Sequence, residues 1–371
     1  MTTKPLTILQ VLPALDGGGV EKGTLEIARF LVQQGHRSLV VAAGGRLVEQ
    51  LVAEGSEFIQ ADIGAKQLST VRCIFRFRRL LQTLRPDIVH ARSRLPAWVC
   101  HLARQTLPKS ERPHWVTTFH GQHSVNRYSA IMASGERVIT VSDYMRGHIL
   151  KAYPAVDQDK ITVIHRGVDS TLYNPVYRPD EAWLQRWFEH YPHTRDTALL
   201  TLPGRLTRRK GIEDFIQIMA GLCRAKAAVH GLIVGEAHPR QAAYRQELQN
   251  LISAHGLDQH VTLTGHRSDL HNILALSSAV LSLSKAPEAF GRTTLEALSL
   301  GIPVIGYDHG GVAEQLNVLY PEGKVAVGDI GQALGVLEKL LAGGMRPVKA
   351  NTAFTLDDMC AKTVAVYQSL T

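Results

Sequence analysis

Apolar and polar positions along this chain repeat in one cycle: a short apolar run, a loop bearing Gly or Pro, then a stretch with helical apolar spacing. The first cycle is Leu6-Thr-Ile-Leu-Gln-Val-Leu12, then Asp16-Gly-Gly-Gly19, then a helical pattern over 20–32 that stops at Gly35. Continuous apolar runs of this length read as strands covered on both faces, and the 3.6-residue spacing as the covering helices. The same logic predicts strands over 38–43 and 57–60 around a helix over 46–53, and a helix over 69–84. The segment 86–98 reads as a strand and its polar end. Strands follow over 115–121 and 137–141, the second running into a helix N-cap at Ser142 or Asp143. The segment 161–169 is the last strand of this half.

The cycle then pauses. Residues 170–197 are rich in Pro, Tyr, Trp and charge, with one amphipathic helix over 180–190, and the domain boundary is placed here. A strand over 198–203 restarts the pattern, followed by a Gly-bounded loop and a helix to residue 225. Strands over 230–234 and 261–264, a helix over 269–276, and a strand over 279–283 come next. A helix over 293–300, a strand over 303–306 and a Gly-rich turn into a helix at 307–314 follow, and an amphipathic helix over 356–368 ends the chain. Strand–loop–helix repetition of this kind predicts α/β architecture with two doubly wound domains, 1–170 and 171–354.

Composition narrows the class. At 371 residues, 45% apolar and 20% charged, the chain reads as an ordinary soluble globular protein. No apolar run approaches the ~20 residues of a spanning helix. Met1-Thr-Thr-Lys-Pro5 leads directly into a strand, so no signal peptide is expected. Cys73, Cys100, Cys223 and Cys360 lie far apart, which fits reduced thiols in the cytoplasm and argues against a zinc site.

Charge adds a partner. Residues 1–170 hold 22 Lys and Arg against 14 Asp and Glu, while the remainder holds 19 against 19, so the whole net charge of +8 lies in the first half. No nucleic-acid motif accompanies it, and an anionic membrane surface or anionic acceptor is preferred. The helix over 69–84 carries Arg72, Arg76 and Arg79 at i, i+4 and i+7, with Phe75 and Phe77 interleaved. Such a helix either docks on an anionic inner-membrane surface or shows a solvated cationic face.

The chemistry concentrates in Ser284-Lys-Ala-Pro-Glu-Ala-Phe-Gly-Arg-Thr-Thr-Leu-Glu-Ala-Leu-Ser-Leu-Gly-Ile-Pro-Val-Ile305. A strand feeds a loop that ends at a helix start near Arg292, Thr293 and Thr294, where free N–H groups favour a phosphate. Glu288 precedes that start and Glu296 follows it. Carboxylates accept well from vicinal sugar hydroxyls, so the pair points to a diphosphate with a sugar ring at each end. Glu296 alone would read as a helix-start acid. Arg205 and Lys210, on the loop 204–211, supply the cations a diphosphate needs; a solvated basic turn is the bland alternative. Gly17–Gly19 lets backbone approach a ligand or simply makes a tight turn. Arg92, Ser93 and Arg94, and His120-Gly121, stand at strand ends where doubly wound sheets place ligands. Asp157-Gln-Asp159 could suggest a divalent metal, but its hydrophilic loop reads as a solvated turn, and no metal or other cofactor is expected.

Glu288, Phe290-Gly291, Glu296 and the following Gly301-Ile-Pro-Val304 together resemble the signature of the retaining family-4 glycosyltransferases. The likeness spans nearly the whole chain through Gly17–Gly19, His120-Gly121, Arg205/Lys210 and Glu288/Glu296, and is similar in kind to bacterial lipopolysaccharide core enzymes. It implies the GT-B fold, two Rossmann-like domains facing a cleft, with helix 355–371 returning to the first. It implies metal-independent transfer of a hexosyl unit from a nucleotide sugar, UDP-linked by preference, to a cell-envelope glycan or lipid-linked acceptor. His120 and Glu288 would orient the hexose, Arg205 and Lys210 stabilise the departing diphosphate, and Glu296 hold the ribose. Gly18, Gly19, Phe290, Gly291, Thr293 and Thr294 would complete the donor site, with the loop to Arg267 around the base; Arg92 and Arg94 are candidate acceptor contacts. His165-Arg166 departs from the family's more usual Asn. A nucleotide-sugar epimerase and a non-catalytic nucleotide-sugar-binding partner are the rival readings.

Overall fold

The computed structural model describes residues 4–63, 70–237 and 242–371. The chain forms two compact units, residues 1–166 with 356–371, and residues 167–355.

In chain order the first unit contains β1 (Thr7–Val11), α1 (Gly19–Gln33), β2 (Arg37–Ala42), α2 (Val48–Ala53), β3 (Glu57–Gln60), α3 (Thr70–Leu84), β4 (Ile88–Ala91), α4 (Arg94–Gln105), β5 (His114–Phe119), β6 (Arg137–Thr140), α5 (Asp143–Ala152) and β7 (Ile161–Val163). All seven strands pair in parallel, in the order β3-β2-β1-β4-β5-β6-β7. Ile8, Leu9, Leu39, Val40, Ile88, Val89, Trp115 and Val116 are sealed from solvent, as strands covered on both faces require. Ser142 caps α5, its side chain accepting from the Met145 N–H.

In this unit two elements differ from the sequence pattern. α4 carries no helix signal in that pattern, because Pro96 sits among its first residues; there the helix needs no N–H from it. α3 is described from Thr70, and Ser69, where the pattern starts it, lies outside the described residues.

The second unit contains α6 (Glu181–His190), β8 (Ala198–Pro203), α7 (Ile212–Arg224), β9 (Val229–Val234), α8 (Ala242–Ala254), β10 (Val261–Gly265), α9 (Leu270–Leu276), β11 (Ala279–Ser282), α10 (Arg292–Ser299), β12 (Val304–Tyr307), α11 (Gly310–Leu319), β13 (Lys324–Val325) and α12 (Ile330–Leu341). Its parallel sheet runs β10-β9-β8-β11-β12-β13. Phe215, Ile216 and Met219 of α7 fill the core with Leu200, Ile233, Leu281 and Ile305 from the strands.

The last helix, α13 (Leu356–Gln368), belongs to the first unit, where Met359, Val364 and Tyr367 pack with Ile27, Leu31 and Ile88. Among the described residues, no helix is long and apolar enough to cross a membrane.

Candidate functional site

In the second unit the strand order reverses between β8 and β11. Connections leaving these neighbours diverge to opposite sides, opening a crevice at their carboxyl ends. Gly204–Gly211 leaves β8 and Leu283–Gly291 leaves β11, which is why Lys210 and Glu288, 78 positions apart, meet with Nζ 2.6 Å from Oε1. Ser284 donates its hydroxyl to the same oxygen. Burial pushes the Glu288 carboxyl up, but the Lys210 charge and hydrogen bond, the Ser284 hydroxyl and the Arg209 charge outweigh it. The group therefore lies below the usual carboxylate range and is ionised at neutral pH.

The 204–211 loop can turn here because Gly211 takes φ +66°, and a Cβ on it would run into the Leu283 carbonyl. The 284–291 loop is held from behind. Gly311 donates its N–H to the Glu288 carbonyl at 2.9 Å, and the Gln315 amide donates to the Phe290 carbonyl at 2.5 Å. His309 Nε2 lies 2.7 Å from the Ser284 carbonyl oxygen. Lys285 joins the two loops, its ammonium 2.9 Å from Asp214 and its N–H donating to the Arg209 carbonyl. Of these supports, only the Gly310-Gly311 turn carries a sequence signal; Asp214, His309 and Gln315 carry none.

α10 begins beside this pair. Its N-cap, Gly291, offers no side-chain acceptor. Lys210, Ser284, Glu288, Thr293 and Thr294 line one small cavity. Thr294 is sealed, with its hydroxyl 3.2 Å from Ser282 Oγ, so its backbone N–H is the group it can offer. Glu296 is buried one turn into the helix, with Arg292 Nε at 3.9 Å. Arg205 stands exposed on the loop after β8.

Two of the expected donor contacts are engaged within the protein. The Phe290 ring is turned into the core, 4% exposed and edge-on to Phe354 at 6.1 Å, so its contribution is its main chain. Arg267 makes a two-bond ion pair with Asp269, at 2.9 and 2.6 Å, and lines a separate surface pocket with Trp183, Arg186, His190 and Tyr191. Its charge is neutralised by that acid two residues on.

The first unit reverses its strand order between β1 and β4. Gly18 and Gly19 follow β1 and start α1 with no side-chain cap. Arg94 opens α4, 3.1 Å from Ser129 Oγ and over the Tyr128 ring. Arg92, expected as an acceptor contact, is 4% exposed and bonds the Gln10 side chain, and burial lowers its pKa. His120, just past β5, has Nδ1 2.6 Å from the Arg166 guanidinium. Burial and the Arg166 and Arg92 charges push its pKa well below that of an ordinary histidine, so it is neutral. Arg166 itself is buried. In the sequence it stands out only as a departure from Asn. Asp157-Gln-Asp159 forms an exposed turn, with Asp157 accepting from the Asp159 N–H.

Comparison with known proteins covers both units. Residues 17–172 match the family model for Glycosyltransferase Family 4, and residues 185–342 match that for Glycosyl transferases group 1. N-acetyl-alpha-D-glucosaminyl L-malate synthase of Bacillus anthracis is 23% identical over 320 residues, 82% of this chain and 79% of that protein. A glycosyltransferase structure from Rickettsia africae superposes with TM-score 0.82 at 27% identity, covering 99% of each chain. The Anabaena protein HepE, solved in complex with UDP-glucose, gives TM-score 0.76 at 19% identity over 98% of this chain and 100% of its own.

Proposed function

Because the chain belongs to the glycosyltransferases, joining a Family 4 domain to a group 1 domain in a GT-B fold, we propose that it moves a hexosyl unit from a nucleotide sugar to an acceptor with retained anomeric configuration. The observation that carries this reading is the Lys210–Glu288 contact at the sheet's switch point, beside the uncapped start of α10. An ammonium has three donors. Lys210 can hold Glu288 with one and a pyrophosphate oxygen with another, while N–H groups of the first turn of α10 take further oxygens.

Glu288, ionised and fixed by Ser284 and Lys210, then accepts from hexose hydroxyls, and Glu296 from the ribose. As the bond from the anomeric carbon to the phosphate oxygen breaks, Lys210 and Arg205 take up the charge on the departing diphosphate, the class of stabilisation that contributes most in such sites. The acceptor oxygen bonds to the same face of the anomeric carbon and passes its proton to the departing phosphate oxygen. No metal enters this scheme.

UDP is the favoured nucleotide; HepE, of the same fold, holds UDP-glucose. The acceptor we propose is a cell-envelope glycan or lipid-linked sugar of the lipopolysaccharide-core type, met at the inner face of the cytoplasmic membrane. Support comes from α3, which buries Phe77 and Leu81 and turns Arg72, Phe75, Arg76 and Arg79 outward, with Phe75 57% exposed. Cations around an exposed aromatic suit an anionic bilayer surface.

The test is nucleotide release. With UDP-, GDP- and ADP-sugars offered in turn, free nucleotide should appear with a UDP-sugar, and only when a glycan acceptor is added. Conversion of the donor sugar without acceptor would mean an epimerase instead.

A further inference from the structure

His120 and Arg166 lie 46 positions apart and meet at the carboxyl edge of the first sheet, with Arg166 Nη2 2.6 Å from His120 Nδ1. A guanidinium nitrogen only donates, so Nδ1 must be the accepting, unprotonated nitrogen. A neutral ring then carries its proton on Nε2. That nitrogen is buried and has no hydrogen-bond partner among the described residues. The ring thus presents a donor with nothing to receive it.

The surroundings make Arg166 a built feature. α1 passes over it with Gly23, where a Cβ would come within 2.5 Å of Arg166 Nη1. From α13, Met359 Sδ sits 3.8 Å from the same nitrogen. The other titratable groups around the ring are Arg92, His90 and His123. Arg92 is bonded to Gln10, and His90 is held between the Tyr367 hydroxyl and Thr118 Oγ1 at 2.7 and 2.6 Å. None of these lies within hydrogen-bonding distance of His120 Nε2.

We propose that Arg166 is a positioning residue that locks His120 as a neutral Nε2–H donor, so the group it meets on the sugar is an acceptor oxygen. The inference rests on the reading of His120 as a hexose contact. A second guanidinium nearby, on Arg92, also opposes protonation of the ring, so the lock holds across the working pH range.

The experiment is histidine ¹⁵N/¹³C NMR on the full chain, with His120 assigned by its loss in His120→Gln, alongside transfer assays on the same samples. The native chain should show the Nε2–H tautomer from pH 5 to 8. In Arg166→Met the tautomer lock is released and the His120 midpoint should rise, remaining below that of an ordinary histidine because burial and Arg92 still oppose the charge, and kcat/KM should gain an acid limb at that midpoint. Arg166→Lys, which restores a donor, should suppress that limb. A native Nδ1–H tautomer or imidazolium overturns the proposal without any variant, and so does a folded Arg166→Met in which the His120 tautomer and titration are those of the native chain. The underlying reading is tested separately. His120→Leu should raise the donor KM about tenfold, while His120→Gln, keeping an N–H near Nε2, should raise it less. Equal KM in both would reject the hexose contact while leaving the tautomer result standing.

Discussion

Lys210 Nζ lies 2.6 Å from Glu288 Oε1, a contact between loops that leave adjacent strands where the second sheet reverses its order. The pair is half-buried, with side-chain exposures of 27% and 22%. Removing Lys210 leaves the Glu288 carboxylate with only the Ser284 hydroxyl and the Arg209 charge to offset its burial. The contact therefore fixes both the shape of the site and its charge.

Lys210→Ala should lower kcat with the nucleotide-sugar donor about 100-fold or more, equivalent to about 2.7 kcal/mol of lost transition-state stabilisation. Steady-state release of nucleotide measures it. A variant within threefold of native would exclude Lys210 from catalysis.

The same pair sets a pH signature. Glu288 titrates below its ordinary range in the folded chain, so its contribution to stability is present above the unfolded carboxyl pKa and is lost as pH falls through the folded one. In Lys210→Met, burial acts with only Ser284 and Arg209 opposing it, and the carboxyl shifts upward. If it passes the unfolded value, stability falls as pH rises toward neutrality. Midpoints of thermal unfolding between pH 4 and 7 should accordingly rise with pH more steeply for the native chain than for Lys210→Met, and Glu288→Gln should abolish the difference between the two. Parallel curves for native and variant would contradict the assignment.

Gly211→Ala should destabilise the second unit by more than about 1 kcal/mol, since φ +66° and the Leu283 carbonyl both oppose a side chain. Denaturant unfolding reads this directly. Gly256, at φ +68° with nothing within 4 Å of its Cβ position, carries only the backbone penalty, so Gly256→Ala should cost less.

Arg72, Arg76 and Arg79 changed together to Glu should weaken sedimentation with vesicles containing anionic lipid, while transfer to a soluble acceptor persists. Binding by the native chain should also decline with added salt. Unchanged vesicle binding would detach α3 from the membrane reading.

Much of the architecture is written in the pattern of apolar runs. β3 and α13 fall on the predicted residues, and both glycine-bounded loops lie where strand meets helix. What the pattern leaves out has physical causes. α4 hides behind Pro96, which breaks helices inside but not at their start. The two-residue β13 is too short to show as an apolar run, and the bounds of α12, Ile330–Leu341, are set by the Asp329 cap and Gly343-Gly344, which apolar spacing alone does not weigh. At the site, residue types and local loops are legible, but partners are not. Nothing in one dimension shows that Arg92 bonds Gln10, that Asp269 neutralises Arg267, or that Arg166 reaches His120. Those pairings follow from strand order, which brings distant loops together.

The most direct test is a crystal structure of the chain with an intact UDP-hexose. The account predicts the pyrophosphate at the start of α10 with Lys210 Nζ on one of its oxygens, and the Glu288 carboxylate on hexose hydroxyls. A donor bound with its pyrophosphate away from Lys210, or with Glu288 facing no hydroxyl, would contradict it.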